Sequence, residues 1–275
     1  MSNLDARTVS GFGAEWSRFD QTGVATDELA RFFGMYFEQF PWAQLPANAV
    51  GFDVGCGSGR WARFVAPRVG QLHCIDASAE ALAVARTNLA SLPNVSFHHA
   101  SVDALPLEDA SMDFGYSLGV LHHVPDTAAA IASCVRKLKP GAPLLLYLYY
   151  AFDNRPPWYR WAWRGSDAVR RVVSQLPDRA RFLTADLVAA GVYFPLARLG
   201  RLGERLGLPV SSFPLSFYRN SSFYTMRTDA LDRFGTQLEQ RFDQQQIRQM
   251  MESAGLERIS FRDGAPYWCA VGYRR

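Results

Sequence analysis

Lysine is nearly missing from this chain: of its 29 basic residues, only Lys137 and Lys139 are lysines. With a formal net charge of +3 over 275 residues and no dense basic run, the sequence lacks the footprint of a nucleic-acid-binding protein. Cysteine is also sparse. Cys56, Cys74, Cys134 and Cys269 stand far apart without the CxxC spacing of a zinc or redox centre, so they read as reduced thiols and no metal site is expected. Long apolar runs are missing too. The longest uncharged candidate, Leu187 to Ala197, is bounded by Asp186 and Arg198, well short of the roughly 20 residues that cross a bilayer. The opening MSNLDARTVS has neither the basic start nor the apolar run of a secretory signal, which gives the expectation of a cytoplasmic protein.

What is present is ordinary globular material. Hydrophobic residues make up 48% and charged residues 20%, which excludes a disordered tail, a collagen-like fibre and a polytopic membrane protein. A chain of this length buries enough surface to fold without a disulfide or metal staple. Charge is split unevenly. Residues 1–150 hold 10 Lys+Arg against 14 Asp+Glu, and residues 151–275 hold 19 against 12, so the two parts are expected to face different partners.

From about residue 48 to 150, short apolar runs alternate with helix-like segments. Strands are expected at 49–54, 72–75, 95–98, 112–120 and 144–149, with helices at 60–66, 78–90 and 126–138 between them. That alternation predicts an α/β fold with a doubly wound, largely parallel sheet. The pattern resumes at Asp243, which can cap a helix to Ala254, followed by strands at 256–261 and 268–273. Between lie aromatic, arginine-rich and proline-broken residues, 151–242. They read as a mainly helical substrate lid inserted after the fifth strand of a seven-stranded mixed sheet. The expected organisation is an N-terminal helical flap over 1–47, a ligand-binding domain over 48–150 and 243–275, and the lid.

The most informative segment is Asp53-Val54-Gly55-Cys56-Gly57-Ser58-Gly59. In an open parallel sheet, ligands bind beyond the carboxyl ends of the strands, and glycines there let backbone amides approach them. A dinucleotide fold would need G-x-G-x-x-G, but the residue at that third position is Arg60. The spacing G-x-G-x-G, with an acid two residues ahead, resembles motif I of the class I S-adenosylmethionine-dependent methyltransferases. The resemblance extends through Asp76, closing the second strand, Asp103 after the third, and Ser117 to His123 on the fourth. It implies a Rossmann-like fold and S-adenosylmethionine as cofactor. Asp53 would order the turn and the methionine ammonium, Asp76 would bond the ribose hydroxyls, and Asp103 would lie by the adenine amine. Further implied contacts are Gly55, Cys56, Gly57, Gly59, Ala77, Val102, Ala104 and Leu118.

His122 and His123 leave the fourth strand where the transferred methyl would sit. Histidine can take a proton near neutral pH, so these two are the candidate bases, one expected at the site and the other packed away. Trp16 and Phe19, in a segment similar to the family's aromatic N-terminal flap, are candidate substrate contacts. So are Tyr224 and Arg227 in the insertion, where arginine forks suit an anionic, partly apolar acceptor. The expected activity is methyl transfer to an O, N or C atom of a small molecule. A cyclase or decarboxylase of the same fold, or a nucleoside-binding regulatory module, is the alternative. For the arginine-rich helices around 183–208, peripheral contact with an anionic membrane and a homodimer contact both stay open.

Overall fold

The computed structural model describes residues 3–210 and 212–275. Contacts divide the chain into two units, one of residues 1–21, 29–153 and 238–275, the other of residues 22–28 and 154–237.

The first unit is built on a seven-stranded sheet. Its strands are β1 (Val50–Val54), β2 (Gln71–Asp76), β3 (Val95–His99), β4 (Phe114–Leu118), β5 (Pro143–Tyr147), β6 (Leu256–Phe261) and β7 (Cys269–Arg274). Their order is β3-β2-β1-β4-β5-β7-β6. The five strands from the first segment run parallel, while β7 lies antiparallel to β5 and β6 antiparallel to β7. The parallel strands are almost continuously apolar because both sheet faces are covered. Phe52, Phe114, Leu144 and Leu146 are fully buried. Strand order reverses between β1 and its neighbours β2 and β4, which places the ligand crevice at their carboxyl ends.

The helices follow from caps written in the sequence. Ser78 starts α4 (Ala79–Asn88) by accepting from the Ala81 amide at 3.2 Å, and Asp126 starts α5 (Thr127–Lys137) by accepting from the Ala129 amide at 2.9 Å. In α10 (Gln244–Ser253), Asp243 and Gln246 form a reciprocal capping box. Helices α1 (Ala6–Arg18), α2 (Thr26–Tyr36) and the single turn α3 (Ala62–Val65) complete the elements up to β5, apart from short 3-10 turns. Every strand expected between 48 and 150 is present, shifted at its ends by no more than two residues, with β4 shorter by two residues at each end.

The second unit contains α6 (Pro157–Val173), α7 (Asp178–Val188), α8 (Phe194–Arg205) and α9 (Phe223–Gly235). Contacts draw the boundaries differently from the expected ones. The unit has its own core, in which Val173, Ala189, Tyr193, Ala197, Met226 and Ala230 pack together. Its boundary also differs: residues 238–242 belong with the sheet, where Phe242 donates its amide to Tyr149 and accepts from Ala151, each at 2.9 Å. The 1–47 segment is likewise not one flap, since residues 22–28 group with the second unit.

Candidate active site

Asp53 lies next to the carboxyl end of β1, paired in register with Cys74 of β2 and Tyr116 of β4. Cross-strand partners share a sheet face, so these three side chains stand together. The carboxyl group is 1% exposed, and its Oδ2 has no hydrogen-bond partner among the described residues. Burial pushes its pKa up to about 8. The adjoining Tyr116 hydroxyl opposes that rise without making a well-aligned hydrogen bond, and Asp76 adds to it. Ser58 Oγ, in the turn itself, is a second buried polar atom without a partner among the described residues.

The turn after β1 is fastened to the end of β2. Gly55 and Cys56 donate their amides to the Ile75 carbonyl at 2.8 and 3.1 Å. Gly55 has φ +76°, and a Cβ there would meet Val120 at 2.4 Å, so both conformation and space demand glycine. Gly57 has φ +54°, and a Cβ would meet the Trp16 indole at 2.9 Å. Asp76 closes the arrangement. Its Oδ2 accepts from the Gly57 amide at 2.9 Å and its Oδ1 from the Ser78 amide at 2.8 Å. Its pKa is raised by burial, and these two amides counter the rise. Each carboxylate oxygen keeps a further lone pair, enough to accept from vicinal hydroxyls.

The other acid is differently placed. Asp103 sits in the 3-10 turn after β3 and is exposed; its Oδ2 accepts the Asn3 amide at 3.0 Å and its Oδ1 the Ser101 hydroxyl. Each oxygen accepts one bond from the protein and, like those of Asp76, keeps a further lone pair. Leu118 and Val102 are buried, Ala77 and its neighbour Asp76 are half-buried, and Ala104 is exposed. The Cys56 thiol is buried beside Cys74, and both thiols are free and pushed above their ordinary pKa.

His122 and His123 form the 3-10 turn that follows β4. His123 uses Nδ1–H to donate to the Leu238 carbonyl at 2.6 Å and sets its ring edge-on to Phe12 at 5.0 Å, a structural position. His122 differs. It is 0% exposed, stacks on Tyr149 at 3.9 Å, and neither ring nitrogen has a protein partner among the described residues. Burial, with His123 and Arg241 as smaller contributors, holds its pKa well below the ordinary histidine range, so the ring is neutral. The sequence reading missed Arg241 and Glu239. Arg241 Nε donates to Glu239 Oε1 at 2.8 Å, and its guanidinium lies over the Tyr149 ring at 5.0 Å. Both residues fell inside the expected lid, and only their pairing with the strand-five exit reveals them.

Three expected substrate contacts already have partners within the protein. Phe19 is 2% exposed and part of the core. Arg227 closes its fork on Asp186, Nε to Oδ1 at 2.8 Å and Nη2 to Oδ2 at 3.0 Å, so it is committed inside the second unit. Tyr224 lays its ring where a Cβ on Gly23 would fall, 2.7 Å away. Trp16 alone stands at the glycine turn, with the Arg60 guanidinium 5.3 Å from its ring.

Comparison with known proteins agrees with this geometry. Residues 52–146 match the family described as "Methyltransferase domain". A ubiquinone biosynthesis O-methyltransferase of Hahella chejuensis is 37% identical over 117 residues, covering 42% of this chain and 47% of that protein. An uncharacterised 37.1 kDa protein from a Streptomyces fradiae transposon is 39% identical over 151 residues, 53% of this chain and 42% of its own. The chain thus spans less than half the length of these curated relatives. Among solved structures, the fold is shared with a chain from Bacillus halodurans C-125 described as a methyltransferase, with TM-score 0.50, 16% identity and coverage of 86% and 72%. It is also shared with a chain from the complex of the Haloferax volcanii Trm112 methyltransferase activator and a methyltransferase, with TM-score 0.56, 15% identity and coverage of 97% and 96%. Strand order, glycine turn and family match together mark residues 52–146 as similar to a methyltransferase domain, with the fold of the class I S-adenosylmethionine-dependent methyltransferases.

Asp53 gives a pH signature to the free protein. With a native pKa near 8 against an ordinary 3.8, the folded state holds a proton that the unfolded state releases. Its contribution to stability is therefore full below pH 4 and is lost as pH rises through 8, with a slope of at most about 1.4 kcal/mol per pH unit. Urea titrations across this range should show a shallower decline for Asp53→Asn than for the parent. Parallel curves would contradict the assignment.

Proposed function

We propose that the chain transfers a methyl group from S-adenosylmethionine to a small-molecule acceptor, with an acceptor oxygen favoured over nitrogen or carbon. The observation that carries this reading is the pair Asp53 and Asp76 around the glycine turn. Asp53 offers a buried carboxyl oxygen, without a partner among the described residues and suited to a cationic group, and Asp76 offers acceptors suited to ribose hydroxyls. A sulfonium nucleoside with an amino-acid tail presents both. Gly55 and Gly57 keep the turn free of side chains that would obstruct it, and Trp16 lies against Gly57. When bound, S-adenosylmethionine supplies an electrophilic methyl and leaves as S-adenosylhomocysteine.

The chain itself supplies position and a proton acceptor. Neutral His122 accepts the proton of the acceptor hydroxyl as that oxygen bonds to the methyl. General-base assistance of this kind is worth about 10²–10⁴-fold. Tyr149 fixes the ring by stacking, and burial keeps it neutral in the free protein. The relatives named as ubiquinone biosynthesis O-methyltransferases support oxygen as the acceptor atom. A cytoplasmic place of action belongs to the same proposal, as does a further partner for the second unit, either a membrane surface or a second copy of the chain.

Incubation with methyl-labelled cofactor and a panel of hydroxylated metabolites tests the activity. A labelled product with stoichiometric S-adenosylhomocysteine is expected; an unlabelled product would instead indicate a cyclase or decarboxylase. Asp76→Ala removes charge-assisted bonds worth about 1.5–3 kcal/mol, so S-adenosylhomocysteine affinity measured by calorimetry should fall at least tenfold. His122→Phe keeps the stacked ring while removing both nitrogens. It should leave that affinity within about twofold and lower kcat by at least 10²-fold, whereas an equal loss in binding would make His122 merely structural.

A further inference from the structure

The second unit turns its large apolar side chains outward. Among the described residues, the exposed large hydrophobic side chains all fall between Trp158 and Phe223. Helices α7 and α8 are joined by a π turn, Ala189–Tyr193, into one helical rod over Asp178–Arg205. Its inner positions are Ala185, Ala189, Ala197 and Gly200, while Leu183, Leu187, Leu199 and Leu202 are 53–63% exposed. A helix serving only a water-soluble core buries its leucines and exposes its small or polar residues. This rod does the reverse.

The exposed leucines are aligned. At about 100° per residue, Leu183 and Leu187 share one stripe. The π turn takes up about one additional residue, which brings Leu199, Leu202 and Leu206 back within about 60° of that stripe. Arg179, Arg201 and Arg205, all exposed, follow one flank of it. Helix α6 repeats the arrangement: exposed Trp158, Trp161, Val169 and Val172 form its apolar stripe, with Arg160 and Arg164 along one side.

Charge decides what covers these faces. Between residues 158 and 208 there are nine arginines and four acids. Each acid is already held by an arginine: Asp167 by Arg170 and Arg171, Asp178 by Arg181, Asp186 by Arg227, and Glu204 by Arg219. A second copy would bring the same positive flank against itself, because a two-fold contact is self-complementary. An anionic bilayer offers both what the leucines need and what the arginines need, and tryptophan is favoured at its interface. Although the rod is long and apolar enough in one window to cross a membrane, its small-residue face is buried within the unit's own core.

We infer that this unit docks on the surface of an anionic lipid bilayer through the leucine stripe of α7 and α8, with arginines on the headgroups. This commits the partner left open in the proposed function to one occupant. Its test is flotation of the full chain with vesicles of phosphatidylcholine alone or with added phosphatidylglycerol. Binding should rise with phosphatidylglycerol and fall with salt. Arg201→Gln and Arg205→Gln should each weaken it about fivefold, and Leu199→Gln with Leu202→Gln should reduce binding at every lipid composition. Circular dichroism and S-adenosylhomocysteine affinity should match the parent in all these surface variants, so a vesicle result stands apart from any failure of the cofactor reading. No vesicle binding, binding indifferent to phosphatidylglycerol, or resistance to alkaline carbonate extraction would overturn surface docking. So would a dimer in solution that the leucine substitutions dissociate.

Discussion

A carboxyl group taken out of water loses hydration worth several kcal/mol unless something replaces it. Asp53 is such a group, and the surrounding elements make sense as the means of keeping it there. The parallel strands on either side bury it, Tyr116 limits the cost, and Asp76 spends its oxygens on the amides of Gly57 and Ser78. The free protein meets the cost by leaving Asp53 protonated. A cation delivered to Oδ2 would reverse that choice, so an acid that is merely expensive in the empty domain becomes a recognition element when a cationic ligand arrives.

The same economy separates the two histidines. His123 is satisfied by the Leu238 carbonyl and anchors the strand-four exit to residues 238–242. His122 is buried and neutral, and among the described residues neither of its nitrogens has a protein partner. Buried polar atoms are normally paired, so two orphan nitrogens on one ring, like the orphan oxygen of Asp53, mark places that a ligand can complete. In the second unit the arginines run the other way: Arg170, Arg181 and Arg227 are consumed by carboxylates, and Arg170 also donates to the Thr236 and Gln237 carbonyls. What that unit leaves to its surroundings is apolar surface edged with arginine.

Much of the sheet was legible because parallel strands buried on both faces must be apolar runs, and because Ser78, Asp126 and Asp243 announce helix starts. Asp53, the glycine turn and Asp76 were legible because three local constraints fell at successive strand ends. What the sequence could not display was lateral. Tyr116 reaches Asp53 only through the register of β1 and β4, and Asp103 meets Asn3 across 100 positions. Arg227 and Asp186 are 41 residues apart. Residues 238–242 carry no periodicity of their own, since their extended form comes from pairing with Tyr149 and Ala151. The outward leucines were masked by the charges at Asp186 and Arg198, which broke the apolar run although the helix continues through both.

The central claim is that Asp53 gives up its proton to a cationic cofactor. Calorimetry of S-adenosylmethionine binding at pH 7, repeated in buffers of differing ionisation enthalpy, measures that exchange directly. The account predicts binding with release of close to one proton, absent in Asp53→Asn. No heat of association, or association with no proton exchanged, would contradict it.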